Sequence, residues 1–292
     1  MKKLNYVPLT ATPFQQNKKY KERSPQNLEL ANYIRCFWGS EQPYLQKDQS
    51  VDASIVVPDT CVDIIYNIDY TDNTITGGFC GINDASFWDH DRKESGHLVS
   101  VFAIRFFAWN AYVFSEDSLK DTINTYDEVR TRFRWLDNML RQQLFDKHTL
   151  EERGKAAEEI LLDRLSEIRQ NSMIDNAVEQ IILRKGTQSV TELAKECFIS
   201  SRQLERLFHE YIGITPKKLC SLVRYQYLWH EILTNPKFHV LDAVCKYAYT
   251  DQSHLMREFK RYHAMDIRTA RLYAYQHCGS HVGNIQDFPK QS

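Results

Sequence analysis

Apolar positions in the first hundred residues fall in short blocks rather than spaced stripes. Segments 53–58 (ASIVVP), 61–68 (CVDIIYNI) and 99–107 (VSVFAIRFF) are rich in Val, Ile, Phe and Tyr, with turn formers at Pro58-Asp59, Asp72-Asn73, Gly77-Gly78 and Asn83-Asp84. Such near-continuous apolar runs predict strands covered on both faces, or a closed barrel. A helix is expected at 28–36, just after Ser24-Pro25. From about Ser115 the period lengthens to that of a helix, over 127–145 and 150–170. Ala157, Leu161, Leu165 and Ile168 form one stripe of the second segment, which either packs on its own domain or meets a second copy. Beyond Ser172 the pattern is helical throughout, with expected helices at 173–185, 190–196, 201–211, 216–234, 241–247, 251–262 and 268–276. The polar stretch 279–292 is expected to fray.

An internal repeat organises this second half. Segment 190–214 (VTELAKECFISSRQLERLFHEYIGI) and segment 241–265 (LDAVCKYAYTDQSHLMREFKRYHAM) each give a short helix, a turn ending in a capping residue, and a second helix. That second helix carries Leu204 and Phe208, or Leu255 and Phe259, with Arg206 or Arg257 between. Ser189 with Glu192 makes a capping box, Ser200 with Gln203 caps the next helix, and Thr250 is expected to cap its counterpart. Opposite the apolar faces stand Arg202, Glu205, Arg206 and His209 in the first unit, and Gln252, Ser253, His254 and Arg257 in the second. Long polar side chains near a helix N-terminus suit the major groove, where Arg pairs with guanine and Gln with adenine. Between the units a helix opens on Thr215-Pro216 and closes near Asn235-Pro236. At 1.5 Å per residue it is roughly 30 Å long, close to the ~34 Å of one DNA turn.

Charge sharpens this division. The chain of 292 residues has a formal net charge of -1. Residues 1–170 hold 21 Lys and Arg against 26 Asp and Glu, whereas residues 171–278 hold 15 against 11, so the helical half is the basic one that a polyanion would choose. The seven cysteines (36, 61, 80, 197, 220, 245 and 278) are scattered and never spaced CxxC, which argues for reduced, small apolar residues rather than a zinc ribbon or disulfide framework. No apolar run approaches the ~18 residues of a membrane span, and the N-terminus lacks a secretory pattern. A soluble, cytoplasmic protein is expected.

Residues 173–276 resemble the DNA-binding domain of the AraC/XylS family of bacterial regulators. The stretch Tyr249–Lys260 (YTDQSHLMREFK) is the most specific, and 200–208 (SSRQLERLF) also matches. The resemblance implies two helix-turn-helix units that bind double-stranded promoter DNA. By position it places DNA contacts on Arg202, Gln203, Glu205, Arg206, Gln252, Ser253, His254 and Arg257. It departs from the family at Phe198 and Ala248, where the turn glycine is usual, and at Ala264 and Ile267, where Gly and Pro usually follow the last recognition helix. Gly213 and Pro216 keep the pattern. If the turn needs a positive φ, Ala248 costs about 1 kcal/mol. The first unit is therefore expected to anchor specific binding, with the second adding adjustable affinity.

The front half resembles the sensor-like, cupin-like domains that often precede such units, through Tyr33–Trp38 (YIRCFW), Val57–Asn67 (VPDTCVDIIYN), Phe79-Cys80-Gly81 and Val101–Phe114 (VFAIRFFAWNAYVF). Its histidines are His90, His97 and His148, with no HxH pair for a cupin metal site, and no nucleophile elbow or phosphate loop is present. The default is an effector pocket, for which Trp38, Asp63, Tyr66, Arg105 and Tyr112 are candidates. Asp63 and Arg105, charged within apolar strands, either pair with each other or meet a charged ligand.

The fold class expected is α+β in two domains: a β-barrel-like domain with flanking helices (1–126), a helical linker or dimerisation segment (127–170), an all-α domain with two helix-turn-helix units joined by a long helix (171–278), and a tail (279–292). The function expected is sequence-specific transcription regulation, with a small-molecule effector at the front domain, RNA polymerase as a further partner, and a homodimer as one assembly. No metal, cofactor or membrane is expected. Two alternatives stand beside it. The front half could be an enzyme or repair domain localised by the DNA-binding units, or it could only mediate oligomerisation.

Overall fold

The computed structural model describes residues 6–10, 20–46, 54–89, 96–165 and 170–276. Strands come first: β1 (Tyr20–Arg23), β2 (Ile34–Ser40), β3 (Tyr44–Leu45), β4 (Ser54–Val56), β5 (Cys61–Asp69), β6 (Thr74–Cys80), β7 (Phe87–Asp89), β8 (Leu98–Phe107) and β9 (Tyr126–Glu128). Helices follow: α1 (Arg134–Leu144), α2 (Leu150–Leu165), α3 (Ser172–Leu183), α4 (Val190–Glu196), α5 (Ser201–Tyr211), α6 (Pro216–Thr234), α7 (Val240–Lys246), α8 (Gln252–His263) and α9 (Ile267–Gln276).

Seven strands form one antiparallel sheet in the order β1-β2-β8-β5-β6-β9, with β3 also on β8; β4 and β7 pair separately. Among the described residues the sheet is open, with no ladder joining its edge strands β1 and β9. Its centre is β5 against β8, whose register runs from Cys61↔Phe107 to Asp69↔Val99. Side chains alternate across a strand. Ile64, Tyr66, Phe102, Ile104 and Phe106 therefore share one face, which packs against Phe133 and the buried Leu136 and Leu140 of α1.

Two expected helices begin differently. At 28–36 only a short 3-10 turn forms (Leu30–Asn32), and from Ile34 the chain enters β2, paired on both sides by β1 and β8. Its β-branched and aromatic residues suit that site, because Ile34 and Phe37 bury completely there. At 127–145 the first residues pair with β6 as β9, and α1 starts only at Arg134. In α2 the stripe of Ala157 and Leu161 is buried, and the helix packs on β1, β2 and α1 of its own domain. Ile168 lies outside the described residues. Arg153, wholly buried on α2, donates to Ser100 Oγ at 2.6 Å, the Tyr70 hydroxyl at 2.7 Å and the Lys147 carbonyl at 2.9 Å. Three oxygens meet its fork, as a buried guanidinium requires.

The helical half follows the sequence expectation closely, and α4, α5 and α6 have the expected bounds. Helix α6 carries the architecture. Leu219, Leu222, Val223, Tyr225, Leu228, Trp229 and Ile232 are buried on it, and between Lys218 and Thr234 none of its residues is exposed. Its neighbours include α3, α5, α8 and α9, while part of its surface is covered by the front domain.

Candidate nucleic-acid interface

Each helix-turn-helix unit is built from capped helices. In the first, the Ser189 hydroxyl accepts from the Glu192 N–H while the Glu192 carboxylate accepts from the Ser189 N–H at 2.8 Å, a complete capping box on α4. The Ser200 hydroxyl accepts from the Gln203 N–H at 3.1 Å and starts α5. Thr215 caps α6 in the same way, with Pro216 as its first residue. In the second unit the cap of α8 is Asp251, which accepts from the His254 N–H at 2.7 Å; Thr250, the residue expected, lies one position too early. The carboxylate, unlike the hydroxyl, also adds a negative charge at the positive helix end.

Both turns keep the left-handed backbone. Phe198 has φ +56°, Ala248 φ +52°, and Ala264, which closes α8, φ +58°. Gly213, at the exit of α5, has φ +84°, and a Cβ there would lie 2.4 Å from the Leu119 carbonyl oxygen, so this position needs glycine for both conformation and space.

Leu204, Leu207 and Phe208 of α5, and Leu255 and Phe259 of α8, are buried. Arg202, Glu205 and Arg206 stand exposed on the outer side of α5, and Gln252, Ser253 and Arg257 on that of α8. Arg206 lies 3.6 Å from Glu210, a loose exposed pair that holds it little. Two of the eight sequence candidates turn elsewhere. Gln203 is half-buried, with its amide 4.0 Å from the Met173 sulfur, and the His254 ring packs edge-on against Tyr249 and accepts the Thr250 N–H at 3.4 Å. The second unit is fixed to α6 by Arg224, which donates to both Glu258 carboxylate oxygens at 2.7 and 2.8 Å and stacks over Tyr249, whose hydroxyl also donates to Glu258.

The five front-domain candidates do not make one site. Trp38, Asp63 and Arg105 share one sheet face. Asp63 accepts from Trp38 Nε1 at 2.8 Å and from Arg105 Nε and Nη2, both at 2.9 Å. Arg105 continues to the Thr10 hydroxyl, which donates to Asp59. Burial raises the Asp59 carboxyl above its usual range. Tyr66 lies on the opposite, core face, where burial pushes its phenol well up. Tyr112 lies at the seam between the halves: its hydroxyl accepts from the Asn171 N–H at 2.9 Å, and its ring meets Tyr211 of α5 edge-on. A small cleft there is lined by Tyr33, Asn110, Tyr112 and Asp175 among others. Burial pushes the Cys36 thiol to about 12 and the Cys80 thiol to about 11, which keeps both protonated.

Sequence reasoning missed the contacts between front and rear. The Gln226 amide of α6 bonds to Leu9 and to the Pro58 carbonyl. Lys218 pairs with Asp84, the Glu210 carbonyl accepts from Leu119 N and Ser118 Oγ, and Trp88 meets Tyr273 of α9 edge-on. A glutamine inside the apolar stripe of α6 was the one signal available. No helix among the described residues is long and apolar enough to cross a membrane.

The family described as Helix-turn-helix domain matches residues 166–272, and the family described as Domain of unknown function (DUF6597) matches residues 22–126. No curated protein matches the chain. Among solved structures, a transcriptional regulator of the AraC-type DNA-binding-domain-containing proteins from Chromobacterium violaceum is 21% identical, covering 36% of this chain and 94% of its own, with a TM-score of 0.33. ToxT from Vibrio cholerae is 9% identical over 83% of this chain and 98% of its own, with a TM-score of 0.37. Its unsaturated-fatty-acid-bound form is 10% identical over 82% and 95%, with a TM-score of 0.35.

Proposed function

We propose that this chain, a DNA-binding transcription regulator of the AraC type, reads its operator with α5 and α8 in successive major grooves on one face of the duplex. The observation that carries this is the pairing of two capped helices with exposed Arg202, Glu205 and Arg206 on one and Gln252, Ser253 and Arg257 on the other, joined by the 19 residues of α6. Arg suits guanine, Gln adenine and Glu the cytosine amino group. The front domain leaves both outer faces exposed, so the docked form is free to meet DNA.

The signal reaching those helices is a small-molecule effector on the sheet face of Trp38, Asp63 and Arg105. An anionic group competing with Asp63 for Arg105 would disturb Thr10, and Leu9 beside it is bonded to α6. An effector acts only through different affinities for two arrangements, and this polar path gives it a means of having them.

The test is binding to a duplex selected from a random library by the full chain. Arg206→Ala and Arg257→Ala should each weaken binding about 5- to 150-fold, the equivalent of ~1–3 kcal/mol. Affinity should also fall steeply with salt as counterions are released. Unchanged affinity in both variants, or a flat salt response, would overturn the docking.

A further inference from the structure

Phe198 is 94% exposed, belongs to no hydrophobic cluster of the described residues, and holds φ +56° in the turn between α4 and α5. Every term internal to the fold is against it. A bulky side chain in left-handed backbone is strained, the ring gains nothing from burial, and the counterpart turn of the second unit manages with Ala248 at φ +52°. Backbone strain retained without reward from packing points outward, to something the residue touches.

We infer that Phe198 is a DNA-contacting, specificity-determining residue whose ring packs on the apolar edge of the first groove: a thymine 5-methyl group with the deoxyribose beside it. Phe198 precedes the N-cap Ser200 by two residues and the exposed Arg202 by four, so it stands in the turn beside the N-terminus of α5, the end that leads into the groove. Along the chain it stands between exposed Lys195 and Arg202, with Glu196 paired to Arg184, a setting that suits a phosphate-lined wall rather than an apolar protein surface. The thymine methyl is the apolar group that the major groove displays, and a phenyl ring is one of the side chains that read it. Ala248 is too short for this, so the two units differ in their demand for thymine. The inference rests on α5 being the groove helix.

The experiment uses the full chain and a duplex selected from a random library by the wild-type protein, with three variants, F198G, F198A and R206A. F198G should bind on the order of tenfold more weakly, the scale of losing one aromatic burial, while its melting temperature rises because the left-handed strain is relieved. F198A keeps the strained backbone but loses the ring, and should bind as weakly as F198G. Replacing single thymines by uracil near the α5 contact should cost wild type about three- to fourfold at one position, the scale of one methyl group, and should cost F198A nothing there. The salt dependence should be the same in all three proteins that keep Arg206. Wild-type affinity in F198G and F198A with a loss in R206A would overturn the inference and leave the groove reading standing. Wild-type affinity in all three would overturn the reading itself. Lost transcription at unchanged affinity would make the ring's partner a protein and also overturn the inference.

Discussion

Gln226, on the helix between the two readers, holds Leu9 of the front domain by both groups of its amide: the Leu9 N–H donates to Oε1 at 2.7 Å, and Nε2 donates to the Leu9 carbonyl at 2.9 Å. Nε2 also donates to the Pro58 carbonyl at 2.6 Å, and the side chain is 2% exposed. A primary amide in this position mimics the edge of a strand, and the segment before Thr10 is bonded to it as to one. The front domain is thus joined to α6 itself, not only to the surface of either unit.

Gln226→Leu keeps the volume but strands one N–H and two carbonyls in a buried seam. Unsatisfied buried groups cost ~1–3 kcal/mol each, so the variant should lose about 3 kcal/mol in urea unfolding of the full chain. The Leu9 amide should also exchange with solvent much faster. An unchanged midpoint and unchanged protection at Leu9 would show that the seam does not depend on this residue.

Arg224 and Glu258 hold the second unit to α6, with Glu258 side-chain exposure of only 8%. Arg224→Met leaves a buried carboxylate with Tyr249 and a distant Arg261 at 3.8 Å. Breaking one side of a buried pair costs about 3 kcal/mol or more. Replacing both residues with apolar ones should recover most of that, because the stranded charge is gone. Denaturant unfolding of the two single variants and the double measures the coupling. Additive losses would mean that the pair does not act as a unit.

His263 gives the rear domain an acid limb. It stacks on Phe259 and lies beside Trp229, its Nδ1 bonds to the Tyr225 hydroxyl at 2.8 Å, and burial lowers it to about 4 from 6.5. Above pH 6.5 both folded and unfolded states keep it neutral, and its contribution is fully present. As pH falls from 6.5 toward 4 the unfolded chain takes a proton that the folded chain refuses, so stability drops by up to about 3 kcal/mol. His263→Phe should flatten that part of the stability curve whatever it does to the plateau. An equal slope in wild type and variant between pH 6.5 and 4.5 would refute the assignment.

The rear domain was legible in the sequence because its signals are local. Caps lie within three residues of what they cap, as in Ser189 with Glu192, and the apolar spacing Leu204–Phe208 needs only helix geometry. Part of the effector grouping could have been corrected from sequence too: Asp63 and Tyr66 are an odd number apart in one strand, hence on opposite faces. The pairing of Asp63 with Arg105 is one of the two readings that their charges within apolar strands allow, and it is the one observed. The addition of Trp38 to them depends on a sheet register joining residues far apart, which no local pattern carries. The same limit hid the start of β2. Segment 28–36 has nothing against a helix locally, and only the distant strand β8, through Phe106, makes Ile34 part of a sheet. Gln226 shows the limit most plainly, since its partners lie 217 and 168 residues away.

Ala248 and Ala264 carry a measurable cost for the departure from glycine at these turns. Both hold left-handed backbone, at φ +52° and +58°, and both are exposed, so their methyl groups pack on nothing that a substitution would lose. Glycine adopts this conformation without steric penalty but widens the unfolded ensemble, and the two effects oppose each other. The steric term is ~1–2 kcal/mol and the entropic one about half of that, so Ala248→Gly and Ala264→Gly should each stabilise the chain by about 0.5–1 kcal/mol. Thermal unfolding should register a rise of roughly 1–1.5 °C for each, and additively, since each acts on its own turn. Neither change touches Gln252, Ser253 or Arg257, so affinity for a selected duplex should not move. A stabilised variant with weaker DNA binding would mean that the alanines are kept to let the second unit yield on the DNA. A destabilised one would mean that the turns relax away from left-handed backbone in solution.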